Sequence, residues 1–158
     1  MSRIDETIQA KKIKRQALEH EGVLAHPYSF AKSHTIAQAL KSEGQVIATA
    51  GRIMSLRAHG KVTFLHLADS TARMQVMLHQ EKIGDQYRLL TNIDMGDFLG
   101  VTGLIGKTKT GELTVMAEKM EFLGKALRPL PTEWNQAEDK EVRFRKRYLD
   151  MLVNETTR

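Results

Sequence analysis

Apolar residues along this chain recur with two different periods, and the change falls near residue 46. Before it the spacing is helical. Residues 2–21 predict a helix: Ser2 followed by Asp5 reads as a capping box, and Gly22 is a natural stop. Its apolar stripe is thin. Ile4, Ile8 and Leu18 are interrupted by Lys11, Lys12, Lys14 and Arg15, so this helix is expected to be largely solvated, with one strongly basic face. His26-Pro27-Tyr28 breaks the pattern, and a short helix is expected at 35–43, with Ile36, Ala39 and Leu40 on one side.

From Val46 a strand pattern takes over, rich in small and β-branched residues. Strands are predicted at 46–57, 62–68 and 72–79, with turns at His59-Gly60-Lys61 and Ala68-Asp69-Ser70-Thr71. A helix is expected at 81–91, then strands at 97–107 and 112–123 around the hairpin signal Lys109-Thr110-Gly111. Three strands, a helix and two strands is the order of a five-stranded Greek-key barrel, the OB-fold, whose second and third strands bind oligonucleotides. The fold class is thus mainly β with flanking helices. Pro129 and Pro131 predict an extended linker over 125–137. A basic helical segment, with Arg143, Arg145, Lys146 and Arg147, is expected from Ala137 to Arg158. Its apolar residues Tyr148, Leu149, Met151, Leu152 and Val153 lack a partner, which reads as a further domain cut short. The expected organisation is a helical extension at 1–45, the barrel at 46–124, and a linker with the start of another domain at 125–158.

Alternation sorts the second and third strands into faces. Thr63, Leu65 and Leu67, with Ala72, Met74, Val76 and Leu78, form the core face; Phe64, Arg73, Gln75 and Met77 point away. An aromatic ring among amide and guanidinium groups suits single-stranded nucleic acid: the ring stacks a base while Arg and Gln reach base edges or phosphate. Packing of Phe64 under the N-terminal helix or a loop fits the pattern equally.

The net charge of +5 and a pI near 9.5 favour polyanionic partners. The absence of cysteine excludes disulfides, thiolate metal sites and cysteine nucleophiles. No secretory signal opens the chain and no apolar run is long enough to span a bilayer, so the expected location is the cytoplasm. Gly103-Leu-Ile-Gly106-Lys107-Thr108 echoes the end of a phosphate-binding loop, but Val101 stands where the motif needs glycine. His66 and His79, possible cross-strand neighbours, have no third ligand in view and read as surface histidines, so no metal site is expected. Phe144-Arg145 resembles the start of a class II synthetase ATP motif, but Arg147 replaces its glutamate. No catalytic residue and no cofactor are expected in this chain.

Three stretches together resemble the N-terminal, anticodon-binding portion of lysyl-tRNA synthetases, a class IIb aminoacyl-tRNA synthetase family. They are Ala50–Arg57 running on through Gly60–Phe64, Lys107–Leu113, and Lys125–Pro131 followed by Arg143–Asp150. The resemblance covers nearly the whole chain. It implies a U-rich anticodon as ligand. The aromatic matching Phe64 stacks the central uracil, the residues matching Arg57 and Gln75 bond that base's edge, and the one matching Glu112 contacts the first anticodon base. Arg73 and the basic residues Lys11, Lys12 and Lys14 would touch phosphate, which adds affinity without sequence. The resemblance further implies a homodimeric parent that attaches lysine to tRNA(Lys) with ATP and Mg2+, through motifs lying beyond Arg158. This chain alone is then expected to be inactive. Two other readings stay open: a free-standing single-strand-binding OB protein, and the anticodon domain of an aspartyl- or asparaginyl-tRNA synthetase. The 107–113 loop argues against the second.

Overall fold

The computed structural model describes residues 2–130 and 145–153. The chain opens with helix α1 (Arg3–His20) and a single turn α2 (Ile36–Ala39). Strands β1 (Val46–His59), β2 (Val62–Ala68) and β3 (Arg73–His79) follow, then α3 (Gln80–Ile83) and a 3-10 helix (Gly84–Asn92). Strands β4 (Phe98–Lys107) and β5 (Leu113–Gly124) complete the sheet, and α4 (Arg147–Val153) ends the described chain. The sheet is a closed barrel in the order β1-β2-β3-β5-β4, with β1 also paired to β4. This is the expected five-stranded barrel. Residues 131–137 of the expected linker, with Pro131, and residues 137–144 and 154–158 of the expected basic helical segment, with Arg143, lie outside the described residues.

Alternation dictates the core. Leu65 and Leu67 of β2, Val76 and Leu78 of β3, Val101 and Ile105 of β4 and Val115 of β5 are almost wholly buried inside the barrel. β2 and β3 place one side chain inward and the next outward, so the sequence pattern alone sorts their two faces. Closure depends on a short parallel pairing, Gln75↔Thr114 to Leu78↔Ala117, between β3 and β5. Close strand contact needs glycine at two points: a Cβ on Gly103 would lie 2.2 Å from the carbonyl oxygen of Met116, and one on Gly51 would lie 2.6 Å from that of Ala68.

The helix expected at 81–91 is present between β3 and β4, in two parts. α3 stops at Ile83 because Gly84 takes φ 66°, and the chain continues as a 3-10 helix. The short helix predicted at 35–43 shrinks to one turn, capped by Thr35 and Gln38 acting on each other's backbone N–H. The carboxylate of Asp69, in the turn after β2, accepts from the backbone N–H of Ile36 (2.9 Å) and from Lys32 Nζ (2.8 Å), tying α2 to the barrel. Burial raises its pKa, but these bonds outweigh burial and hold it well below the ordinary carboxylate range.

The capping box of Ser2 and Asp5 forms as predicted. Helix α1 is largely solvated, as expected, but part of its basic face is engaged by the protein. Leu18 is fully buried, Lys11 is buried, and Lys14 pairs with Asp94. The reason is an acidic corner before β4. There the fully buried side chain of Lys125 donates to Asp94 Oδ2 and Asp97 Oδ2, both at 2.7 Å, and to the carbonyl of Asn92 at 2.8 Å. Asp97 Oδ1 accepts from the Ala126 N–H at 2.9 Å, and Lys11 Nζ reaches the Met95 carbonyl at 3.4 Å. Burial pushes the Asp94 carboxyl up, but hydrogen bonds from Lys125 and Lys14 outweigh it and its pKa is lowered. Burial lowers the pKa of Lys11. One cluster therefore fastens both the entry helix and the exit strand to the barrel.

Replacing Lys125 by alanine leaves the Asp97 charge buried and unpaired. The expected loss of unfolding free energy is roughly 3–5 kcal/mol, measurable by urea denaturation. A loss below about 1 kcal/mol would mean that the corner behaves as a solvated surface pair.

Candidate nucleic-acid interface

The outward residues of β1, β2 and β3 meet in an open groove of about 920 Å³, bounded on one side by the β4–β5 loop. Strand register decides which side chains meet. Arg57 of β1 lies opposite Phe64 of β2, Phe64 opposite Met77 of β3, and His66 opposite Gln75. Phe64 is half-buried and lines this groove. Helix α1, the alternative cover for its ring, packs instead against the 3-10 helix. Arg57 is exposed beside the ring, and Lys107 and Lys109 bring positive charge from the loop. A stackable ring with amide and guanidinium donors at its sides can hold a flat heterocycle and bond its edge.

Glu112 closes one end of this face. Its Oε2 accepts from Gln75 Nε2 at 2.8 Å, and its Oε1 lies 3.2 Å from His66 Nε2. Ser55 Oγ is 2.8 Å from His66 Nδ1, and Thr114 Oγ1 donates to Gln75 Oε1 at 2.8 Å. Five side chains from β1, β2, β3, the β4–β5 loop and β5 thus form one hydrogen-bonded chain.

The structure brings Phe64, Gln75, Arg57 and Glu112 to one face. It does not bring the expected phosphate contacts there. Arg73, opposite Ala68, is exposed but lies outside the groove lining. Lys11 and Lys14 are turned to the acidic corner by the bonds described above, and Lys12 remains half-exposed on α1. His66 and His79 are not directly opposed: His66 faces Gln75 and His79 faces Val62. Ser55, His66 and Thr114 were not singled out as site residues in the sequence. The outward position of His66 was legible from alternation in β2, but the meeting of the three follows from the β1–β2 bulge between Ile53 and Ser55 and from the parallel β3–β5 pairing, which no local pattern reveals.

A fold and face of this kind define a nucleic-acid-binding OB domain, and residues 47–123 match the tRNA anticodon family described as an OB-fold nucleic acid binding domain. The particular lineage follows from whole-chain similarity. The chain is 40% identical over 149 residues to a lysine–tRNA ligase of Fervidobacterium nodosum, covering 89% of this chain and 29% of that protein. It is 42% identical over 150 residues to the Thermosipho africanus enzyme of the same name, covering 87% and 30%. It is 37% identical over 160 residues to that of Carboxydothermus hydrogenoformans, covering 98% and 33%. The chain is an anticodon-binding OB domain with its flanking segments, homologous to lysine–tRNA ligases, and it spans about a third of the length of the curated relatives it matches. No helix among the described residues is long and apolar enough to cross a membrane.

If Phe64 serves a ligand and not the core, its loss should be mild for stability. Phe64→Ala is expected to cost roughly 1 kcal/mol or less, whereas Leu65→Ala, one residue on but fully buried, should cost about 2–5 kcal/mol. Thermal or denaturant unfolding of both variants checks this; equal losses would make Phe64 a core residue.

Proposed function

We propose that this domain reads the U-rich anticodon of tRNA(Lys) on behalf of a lysine–tRNA ligase. Phe64 stacks the central uracil, Arg57 and Gln75 bond its edge, and Glu112 serves the first anticodon base. The observation that carries this reading is the half-exposed Phe64 ring in an open groove, with Arg57 directly opposite it and Gln75 diagonally beside it. The names and identities of the relatives support lysine over the sibling aspartate and asparagine enzymes, and a ligase part over a free-standing single-strand binder. Stacking contributes about 1–3 kcal/mol per base and tolerates any sequence, so selectivity falls to the polar partners. Lys12 and Arg73 are the proposed phosphate contacts that remain open to solvent; Lys11 and Lys14 already have protein partners. The parent enzyme would use ATP and Mg2+ in a separate catalytic domain, act as a homodimer and work in the cytoplasm. None of that chemistry is assigned to the described residues.

Binding to a stem-loop with a UUU anticodon, compared with the same loop carrying a central cytosine, tests the reading. A clear preference for uracil is expected, and Phe64→Ala should weaken binding at every salt concentration. Lys12→Ala or Arg73→Ala should instead flatten the dependence of affinity on salt. Equal affinity for the two loops would reduce the face to an electrostatic platform.

A further inference from the structure

A glutamine amide is an ambiguous reader. Its NH2 group donates and its carbonyl accepts, and a rotation of about 180° exchanges them at little expense. The difference decides which pyrimidine it prefers. Uracil presents a carbonyl at C4, which accepts; cytosine presents an amino group there, which donates. A freely rotating Gln75 would serve both.

The surroundings of Gln75 remove that freedom. Glu112 Oε2 stands 2.8 Å from Nε2, and a carboxylate only accepts, so the amide nitrogen must face it. The Thr114 hydroxyl, 2.8 Å from Oε1, holds the other side of the amide. Rotation would drive Oε1 against the carboxylate. Among the described residues the second N–H of Gln75 has no protein partner, so the face offers a ligand a donor. Glu112 is itself held. With an acceptor at Oε1, the His66 ring proton sits on Nε2 at 3.2 Å, and Nδ1 then accepts from the Ser55 hydroxyl at 2.8 Å.

We infer that Ser55, His66 and Glu112 form a lock on the Gln75 amide, keeping it a donor and making the groove reject cytosine. His66 and Ser55 are positioning residues in this scheme. The inference rests on the reading that Gln75 faces the central base. It goes beyond it by assigning the choice between uracil and cytosine to residues that need not touch that base.

The same two stem-loops, uracil-centred and cytosine-centred, test it on the full chain. Glu112→Gln keeps the size of the side chain but accepts either orientation of Gln75. The expected signature is a gain: the cytosine-centred loop binds more tightly than to wild type. The uracil-to-cytosine preference should fall roughly tenfold, the worth of one hydrogen bond to a charged group. His66→Leu and Ser55→Ala should move the preference the same way, and His66→Gln, which restores a donor near the Nε2 position, should recover it. Loss of preference in His66→Leu without recovery in His66→Gln would make His66 a space-filling residue and overturn the lock. A wild-type preference retained in full by Glu112→Gln would also overturn it while leaving the anticodon reading intact. A wild type without preference would overturn both.

Discussion

The site depends on one short contact, the parallel pairing of β3 with β5 over four residue pairs. Strands β1, β2 and β3 would form a meander without it, and their outer face would carry Arg57, Phe64, His66 and Gln75 without Thr114 or Glu112 beside them. Closing the barrel brings Thr114 opposite Gln75 and delivers the β4–β5 loop, with Glu112, to the same end of the groove. Parallel pairing between strands far apart in sequence yields nothing until the intervening chain is in place. The hydrophobic interior, with Leu65, Val76 and Val115 packed together, supplies the free energy that holds it.

Charge is divided between two jobs at two separate places on the barrel. At the acidic corner Lys11, Lys14 and Lys125 neutralise Asp94 and Asp97 in low dielectric, so these lysines are spent on architecture. On the groove face Arg57 and Lys109, with Lys107 paired to the exposed Glu43 at 3.2 Å, give the open surface its positive character. A net charge of +5 alone does not separate these roles. Pairing does, because a cation held against carboxylates contributes little field to a ligand elsewhere on the surface.

Specificity on such a face comes from restriction more than from attraction. Stacking on Phe64 accepts any base, and backbone phosphates carry no sequence information. A polar group discriminates only when it cannot adapt. Networks of hydrogen bonds across strands are one way to take that freedom away, and the chain from Ser55 to Thr114 has that form.

The barrel was legible because its strands alternate: Thr63-Leu65-Leu67 against Phe64 and His66 is a local statement that burial confirms. The strand ends fell within a residue or two, and the candidates Phe64, Gln75, Arg57 and Glu112 could be named from outward positions and a family resemblance. The helix expected at 81–91 is present, but its division at Gly84 into an α-helical turn and a 3-10 helix was not legible, because it depends on the conformation of one glycine. Helix α1 is largely solvated as expected, but the engagement of two of its lysines was not legible, because Lys11 bonds the Met95 carbonyl and Lys14 bonds Asp94, each some eighty residues away. The sequence by itself therefore determined strand number, order and the inward and outward faces, since these follow from period-two alternation and turn residues within a few positions. Only the tertiary structure decided which outward residues touch, which lysines are buried, and that His66 and Glu112 meet beside Gln75, because register, bulges and barrel closure are set by contacts distant in sequence.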